Sequence, residues 1–502
     1  MKIDYLHIQS QFKNLNDIKV EFDESNLMTV IVGGNGSGKS NVIEALVSIF
    51  RNLDLGESPT FKYELKYRLG DGNTQKWMTV IADPDGKTLS QQYHIIAADS
   101  EKDVGKKVPM SKVKRDNKGE SAYLPKHVFA YYSGPSDRLE NYFKLHRTNF
   151  YRSLLYKKID LKADIRPLFY AKPYHSQFVL LAFFLSKQST DEKDFLRQHL
   201  GIESLESVHF VMRKPGWAKN KKELFWGADG VVREFLDALY PHCLAPVKIT
   251  RNEDVKLTSG NITNEFFHLF LQDVETLRDF AKDLAPDVFF KMLESTLLSE
   301  IISEVRVRVK VTSSEEPLSF SELSEGEQQL LTVLGLLKFT GGKDSLFLLD
   351  EPDTHLNPAW TVKYLEFLRR FVPDEKTSHL LMVSHHPLAI AELEKEQVQV
   401  MTRIDKEVAA FKPSESPRGM GINLLLRSDM FGLKTTLDNS TNEGVIRRNA
   451  LASKEELSKK EESELKKLNE SLEKLGFSIS TDDPDYMDFL VKKYHSPNKK
   501  GS

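Results

Sequence analysis

Apolar residues crowd into an unbroken run from Leu27 to Val32, LMTVIV. They then recur at Val42, Ile43, Ala45, Leu46, Ile49 and Phe50 at helical spacing. The first pattern predicts a buried strand and the second an amphipathic helix packed on it. SLFLLD at 345–350 and LLMV at 380–383 repeat the buried-strand pattern. Near the start, KIDYLHI and DIKVEF alternate instead, and FKYELKYRL and KWMTVIAD follow within 61–99, with turn formers at Gly70-Asp71-Gly72 and Asp83 to Gly86. Such alternation predicts antiparallel strands with one wet face. The Lys-, Asp- and Gly-rich stretch 101–120 reads as a loop.

From 145 to 300 the pattern turns mostly helical, as in SQFVLLAFFLSKQ and TNEFFHLFLQDVETLRDFAKDLA. No heptad is sustained, which predicts a compact helical lobe rather than a coiled coil. EVRVRVKV at 304–311 returns to strand alternation. Turn formers fill 436–452, and SKEELSKKEESELKKLNESLEKLGF then predicts one charged helix, opened by Ser453 with Glu456 and stopped by Gly476. Its narrow stripe of Leu457, Leu465, Leu468, Leu472 and Leu475 suits packing on the rest of the chain or docking of a partner. The predicted fold class is α/β: a mixed β-sheet with flanking helices and an antiparallel β edge, a compact helical insertion and a C-terminal helical tail. The boundaries are 1–144, 145–300, 301–435 and 436–502.

Composition narrows the setting. The formal net charge is −3, so contact with nucleic acid would need a local patch. Lys106, Lys107, Lys112, Lys114 and Arg115 form one such run, and Arg213, Lys214, Lys219, Lys221 and Lys222 another; each also reads as a solvated loop. Cys243 is the single cysteine, so no intrachain disulfide forms, and the composition fits a reducing cytoplasm. Neither a signal-peptide pattern nor an apolar run near ~18 residues occurs, so a cytoplasmic location with no membrane contact is expected.

Candidate chemistry sits at the ends of the predicted buried strands. Gly33-Gly34-Asn35-Gly36-Ser37-Gly38-Lys39-Ser40, followed by Asn41, fits G-x-x-x-x-G-K-[ST] between a strand and a helix. That context aims backbone N–H groups and a helix N-terminus at phosphates, with Lys39 reaching the β- and γ-phosphates of ATP and Ser40 ligating Mg²⁺. The run 345–350 ends in Asp350 and Glu351, two acids at the C-terminal edge of a parallel strand, where open α/β sheets bind ligands. Asp350 suits Mg²⁺ and Glu351 the polarising of an attacking water. Ser324-Glu325-Gly326-Glu327-Gln328-Gln329 precedes LLTVLGLLKF. Alone it reads equally as a helix start with a Ser324–Glu327 capping box or as a second phosphate cap.

The four segments in this order resemble the ABC-type ATPases of the SMC, Rad50 and RecF-like branch, with SEGEQ similar to the ABC signature in its LSEGEQ form. The resemblance implies an ABC-ATPase head in which Ser324, Gly326 and Glu327 bind the γ-phosphate held by a second copy, hence a head-to-head dimer. It also makes Asp353 to Pro358 the D-loop region and His385 the switch histidine, with His386 as the alternative and a merely structural histidine as the bland reading. No Q-loop glutamine stands out; Gln75, Gln91 and Gln92 are candidates.

HVFAYYSG, RPLFYAKPYHSQFVLLA, LLLRSDMFGL and DPDYMDFL together resemble the single-head ATPases of bacterial anti-phage systems, the Septu type and its retron-coupled versions included. That likeness implies an ATPase governing a separately encoded nuclease of the HNH type, with DNA or retron nucleic acid as further partners. Two other functions fit parts of the sequence. A RecF-like repair clamp would use the basic runs. An ATPase of the overcoming-lysogenisation type would need its own Toprim nuclease, for which the stretch after 436 leaves too little room; Asp483 and Asp485 form a D-x-D that reads as a turn.

Overall fold

The computed structural model describes all residues except 117–118, 157–166, 186–189, 219–222, 255–260, 406, 455 and 476–502. The described chain divides into two units, Met1–Arg418 and Gly419–Ser502.

The first unit is built on three sheets. The central one has seven strands: β3 (Met28–Gly33), β8 (His127–Tyr132), β9 (Leu168–Tyr170), β15 (Ser345–Asp350), β16 (His379–Val383), β17 (Val398–Ile404) and β18 (Glu407–Phe411). Their order is β18-β17-β3-β16-β15-β8-β9, parallel throughout except for β18. Every residue of β3, β15 and β16 is buried, as expected for strands covered on both faces. The helix Lys39–Leu55 lies between this sheet and an antiparallel one of β1 (Lys2–Ile8), β2 (Ile18–Glu21), β4 (Tyr63–Leu69), β5 (Lys76–Ala82), β6 (Tyr93–Ala98) and β7 (Lys106–Lys107). Val42, Leu46 and Ile49 share one core with Leu6, Leu65 and Val80 on one side and with Ile31, Leu348 and Leu381 on the other. The backbone N–H of Ile3 donates to Nδ1 of the buried His379 at 2.9 Å, so a neutral ring joins the two sheets. Burial, with the positive charges of Lys2 and the N-terminus nearby, pushes the pKa of His379 well down.

The helical reading of 145–300 needs correction. Helices Glu140–Tyr156, His175–Leu185 and Pro286–Leu298 are present, but β10 (Ile202–Arg213), β11 (Val247–Asp254) and β12 (Asn261–Leu271) run between them. With β13 (Ile302–Val311) and β14 (Ser314–Ser319) they form an antiparallel sheet in the order β11-β12-β10-β13-β14. In β12, Phe267, Leu269 and Leu271 are buried at period two. An aromatic-rich apolar run of this length fits strand and helix alike by periodicity, and pairing with β10 and β11 decides for the strand. The helix begins only at Val274, where Asp273 accepts from the N–H of Thr276 at 2.7 Å.

The stretch 101–120 is also more built than a loop. Val113 is fully buried, and Arg115 is bound to Asp54 and to the carbonyls of Gly119, Pro125 and Lys126. Arg115 therefore leaves the first basic run, while Lys106, Lys107, Lys112 and Lys114 stay exposed. In the second run Arg213 is exposed and Lys214 pairs with Glu265 at 3.5 Å, whereas Lys219, Lys221 and Lys222 lie outside the described residues.

The second unit holds a helical hairpin. Residues 436–452, expected as turns, form the helix Asn439–Ala452, because Asp438 caps it by accepting from Thr441 N–H at 3.0 Å. The next helix is Lys459–Lys474, opened by Ser458 with Glu461 rather than by Ser453 with Glu456. Two successive capping sequences compete there, and the later one leaves residues for the turn between helices. Arg447 donates to both oxygens of Glu464 at 2.8 and 3.0 Å, and Leu472 is buried. Gly476, Asp483, Asp485 and the segment DPDYMDFL lie outside the described residues.

One close approach in the core yields a test. Gly335, on the Glu325–Thr340 helix, faces the His175–Leu185 helix so closely that an added Cβ would stand 1.8 Å from Cγ2 of Val179. Gly335→Ala is expected to destabilise the fold by about 2 kcal/mol, the usual cost of overpacking. Val179→Ala in the same chain should recover part of that loss, read from the urea midpoint of each variant.

Candidate nucleotide-binding site

The site forms where β3, β15 and β16 end side by side. Gly33 closes β3 at φ 140°, and a Cβ there would stand 2.0 Å from the carbonyl oxygen of Met401, so a side chain is excluded. The loop turns through Gly36 and Gly38 at φ 76° and 91°, and the helix starts at Lys39. The Lys39 ammonium is held at 2.8 Å from Gly33 O and 3.0 Å from Gly34 O. Burial lowers its pKa, partly offset by Glu351 and Asp350. The buried hydroxyl oxygen of Ser37 has no hydrogen-bond partner among the described residues, and a phosphate oxygen would satisfy it.

Ser40 donates to Oδ1 of Asp350 at 2.9 Å, which brings the end of the loop onto the end of β15. Asp350 is buried, and desolvation raises its pKa against the opposing pull of Ser40 and Arg138. A hydroxyl beside a carboxylate, both oxygen donors, is the chemistry of a Mg²⁺ seat that phosphate oxygens and water would complete. Among the described residues, no group of three or more His, Cys, Asp or Glu gathers to hold a metal, at this seat or away from it.

Glu351 follows at φ 55°, a left-handed conformation that side chains avoid. Its backbone is pinned: its N–H donates to Val383 O at 2.9 Å, and its carbonyl accepts from Thr354 Oγ1 at 2.9 Å and Gln329 Nε2 at 3.3 Å. Its carboxylate stands 3.3 Å from Nδ1 of His385, which is half exposed. The neighbouring histidine is used differently: Nδ1 of His386 accepts from Leu388 N–H and caps the turn Pro387–Ile390. Of the two histidines, His385 is the one at the carboxylate.

Ser324 caps the helix Glu325–Thr340, in a capping box with Glu327. Gly326 lies so near the 353–358 segment that a Cβ would stand 2.4 Å from His355 O. Both readings of SEGEQ thus remain physically compatible, since the box orders a helix N-terminus and leaves the end of that helix beside the second strand's loop.

Asn14 and Arg138 had no signal in the sequence, while Gln329, Asp353 and Ser384 lie in or beside its motifs with contacts not legible there. Asn14 donates to Gly36 O at 2.9 Å and accepts from Asn41 at 2.6 Å, bracing the loop from the β1–β2 turn. Gln329 links Glu351 to the N–H of His355. Asp353, buried with a raised pKa caused mainly by desolvation, accepts from Ser384 at 2.6 Å. Arg138 donates to Oδ2 of Asp350 at 2.8 Å. The glutamines considered for a Q-loop stand elsewhere: Gln75 precedes β5, and the side chains of Gln91 and Gln92 close the 83–92 turn.

Comparison with known proteins agrees with this geometry. A family model described as "AAA domain, putative AbiEii toxin, Type IV TA system" matches residues 251–391, and a second, "AAA ATPase domain", matches residues 1–83. The Septu protein PtuA of Bacillus mycoides (strain KBAB4) is 26% identical over 242 residues, which cover 45% of this chain and 33% of that protein. The match therefore spans about a third of the relative's length. Among solved structures, the SMC head domain from Thermotoga maritima aligns over 82% of this chain and 99% of its own at 11% identity and TM-score 0.34. Stu0660 of Streptococcus thermophilus aligns over 98% and 99% at 13% identity and TM-score 0.27. Among the described residues, no helix is long and apolar enough to cross a membrane. By its strand-end site and its two matched models the chain resembles AAA-type ATPases, and over 45% of its length it is similar to the Septu protein PtuA.

Proposed function

We propose that this protein binds and hydrolyses ATP with Mg²⁺, closes head to head with a second copy, and in doing so controls a separately encoded nuclease in anti-phage defence. The observation that carries the ATPase reading is the double contact across the strand ends, Ser40 with Asp350 and Glu351 with His385. In this reading the Gly33–Ser40 loop cradles the phosphates, Lys39 neutralises the β- and γ-phosphates, and Ser40 and Asp350 hold Mg²⁺, which screens phosphate charge. Glu351 takes a proton from the attacking water, and His385 orients the γ-phosphate. Ser324 and Gly326 supply a second set of donors to the nucleotide of the partner copy.

The defence part of the reading is supported by the likeness to the Septu protein PtuA, and the nuclease part by what the Septu-type segments imply. DNA or a retron-derived strand is a further partner in it, met by the exposed lysines at 106, 107, 112 and 114. Co-expression with the neighbouring genes, affinity purification and sizing with ATP, ADP or no nucleotide test the whole. ATP, and not ADP, is expected to double the mass of the chain, with a nuclease co-purifying in fixed ratio. A chain that hydrolyses ATP but stays monomeric and alone would overturn the dimer and the effector. DNA binding confined to the ATP state, with steep salt dependence, would favour a clamp.

A further inference from the structure

The carboxylate of the metal seat already carries a cation on its other oxygen. Asp350 is almost fully buried and uses both oxygens: Oδ1 accepts from Ser40 at 2.9 Å, and Oδ2 accepts from Nη2 of Arg138 at 2.8 Å. The guanidinium also lies over the ring of Tyr132, 4.8 Å from its centroid, and the Arg138 side chain is about one-third exposed. Arg138 ends the segment that leaves β8, and that segment is tied to the same strand end. Ser133 N–H donates to Asp350 O at 3.3 Å, and Ser133 Oγ lies 3.2 Å from Thr354 Oγ1. Gly134 lets the Tyr132 ring fold back into the shelf, since a Cβ there would meet the phenol oxygen at 2.0 Å.

A buried carboxylate without a counter-charge is costly, and the Arg138 guanidinium supplies that charge to Asp350. A divalent ion between Ser40 and Asp350 would sit beside that guanidinium, and two cations on one carboxylate repel. We propose that Arg138 is a built-in competitor for the Mg²⁺ seat: guanidinium and metal contend for the Asp350 carboxylate, so Arg138 must swing outward for metal and nucleotide to bind together. The arrangement couples metal loading to movement of the 133–138 segment. This proposal rests on the nucleotide reading of the site and adds a regulating residue to it.

The test uses the full-length chain and a methylanthraniloyl-ATP probe at fixed concentration, titrated with Mg²⁺, for the wild type, Arg138→Met and Arg138→Lys. Arg138→Met is expected to lower the Mg²⁺ concentration at half-saturation about tenfold, which corresponds to about 1.4 kcal/mol, while Arg138→Lys falls between. Without ligand, Arg138→Met should melt earlier than the wild type, because Asp350 loses its partner. Tighter metal dependence together with a lower melting point cannot come from a merely damaged site. If Arg138→Met does not fold, the Lys variant carries the same comparison. A half-saturation unchanged or raised in the variants overturns the competitor and leaves the nucleotide site standing. A wild type that binds no probe at any Mg²⁺ concentration overturns both.

Discussion

Replacing Glu351 with Gln is expected to slow ATP hydrolysis by about 10²-fold or more, the usual worth of a positioned general base, while nucleotide still binds and the ATP-held dimer lasts longer. The amide is nearly isosteric, so the pinned backbone need not move; what it loses is the capacity to accept a proton. The conformation argues that this residue is placed for a purpose. A non-glycine residue at φ 55° stores about 1–3 kcal/mol of strain, and it persists here because Val383, Thr354 and Gln329 fix both ends of its peptide. Phosphate release and sizing of the Gln variant in ATP measure both halves of the expectation. A rate equal to the wild type would remove Glu351 from the chemistry, and the His385 contact at 3.3 Å would then have to be read as structural.

The strand ends were legible because each motif couples a local pattern to a local structure. A β-branched run, a glycine loop and an amphipathic helix can hardly be arranged otherwise, and β3 with the Lys39–Leu55 helix matches them. The same holds for SLFLLD as β15 and LLMV within β16. What stayed illegible depends on contacts between distant segments. Asn14, Arg138, Gln329 and Ser384 are ordinary polar residues in sequence and gain roles only when β1, β8, β15 and β16 come together. The strands of 202–271 were hidden for another reason. Aromatic-rich runs such as NEFFHLFL satisfy both periods, and only cross-strand pairing with β10 and β11 separates them. In the tail the charged helix is legible and its start is not, since Ser453 with Glu456 and Ser458 with Glu461 offer the same capping pattern five residues apart.

Lys39→Ala should remove ATP binding almost completely while leaving the fold intact. Its ammonium is stored against two loop carbonyls, Gly33 O and Gly34 O, in surroundings dry enough to lower its pKa. A charge kept there at a desolvation cost adds nothing to the empty fold, and a polyanion beside it recovers that cost. Charge-assisted hydrogen bonds contribute about 1.5–3 kcal/mol each, so losing two contacts to phosphate weakens ATP by roughly 10²-fold or more. The melting temperature of the ligand-free variant should equal or exceed that of the wild type, and the rise on adding Mg²⁺ and ATP should vanish. Gly33→Ala serves as the contrast. It also abolishes binding, but through a collision with Met401 O that lowers the ligand-free melting temperature as well. Calorimetric titration beside thermal melting separates the two, because one variant loses only the ligand and the other loses the loop. Wild-type affinity in Lys39→Ala would mean that the phosphates are not held at Gly33–Ser40, whatever the motif suggests.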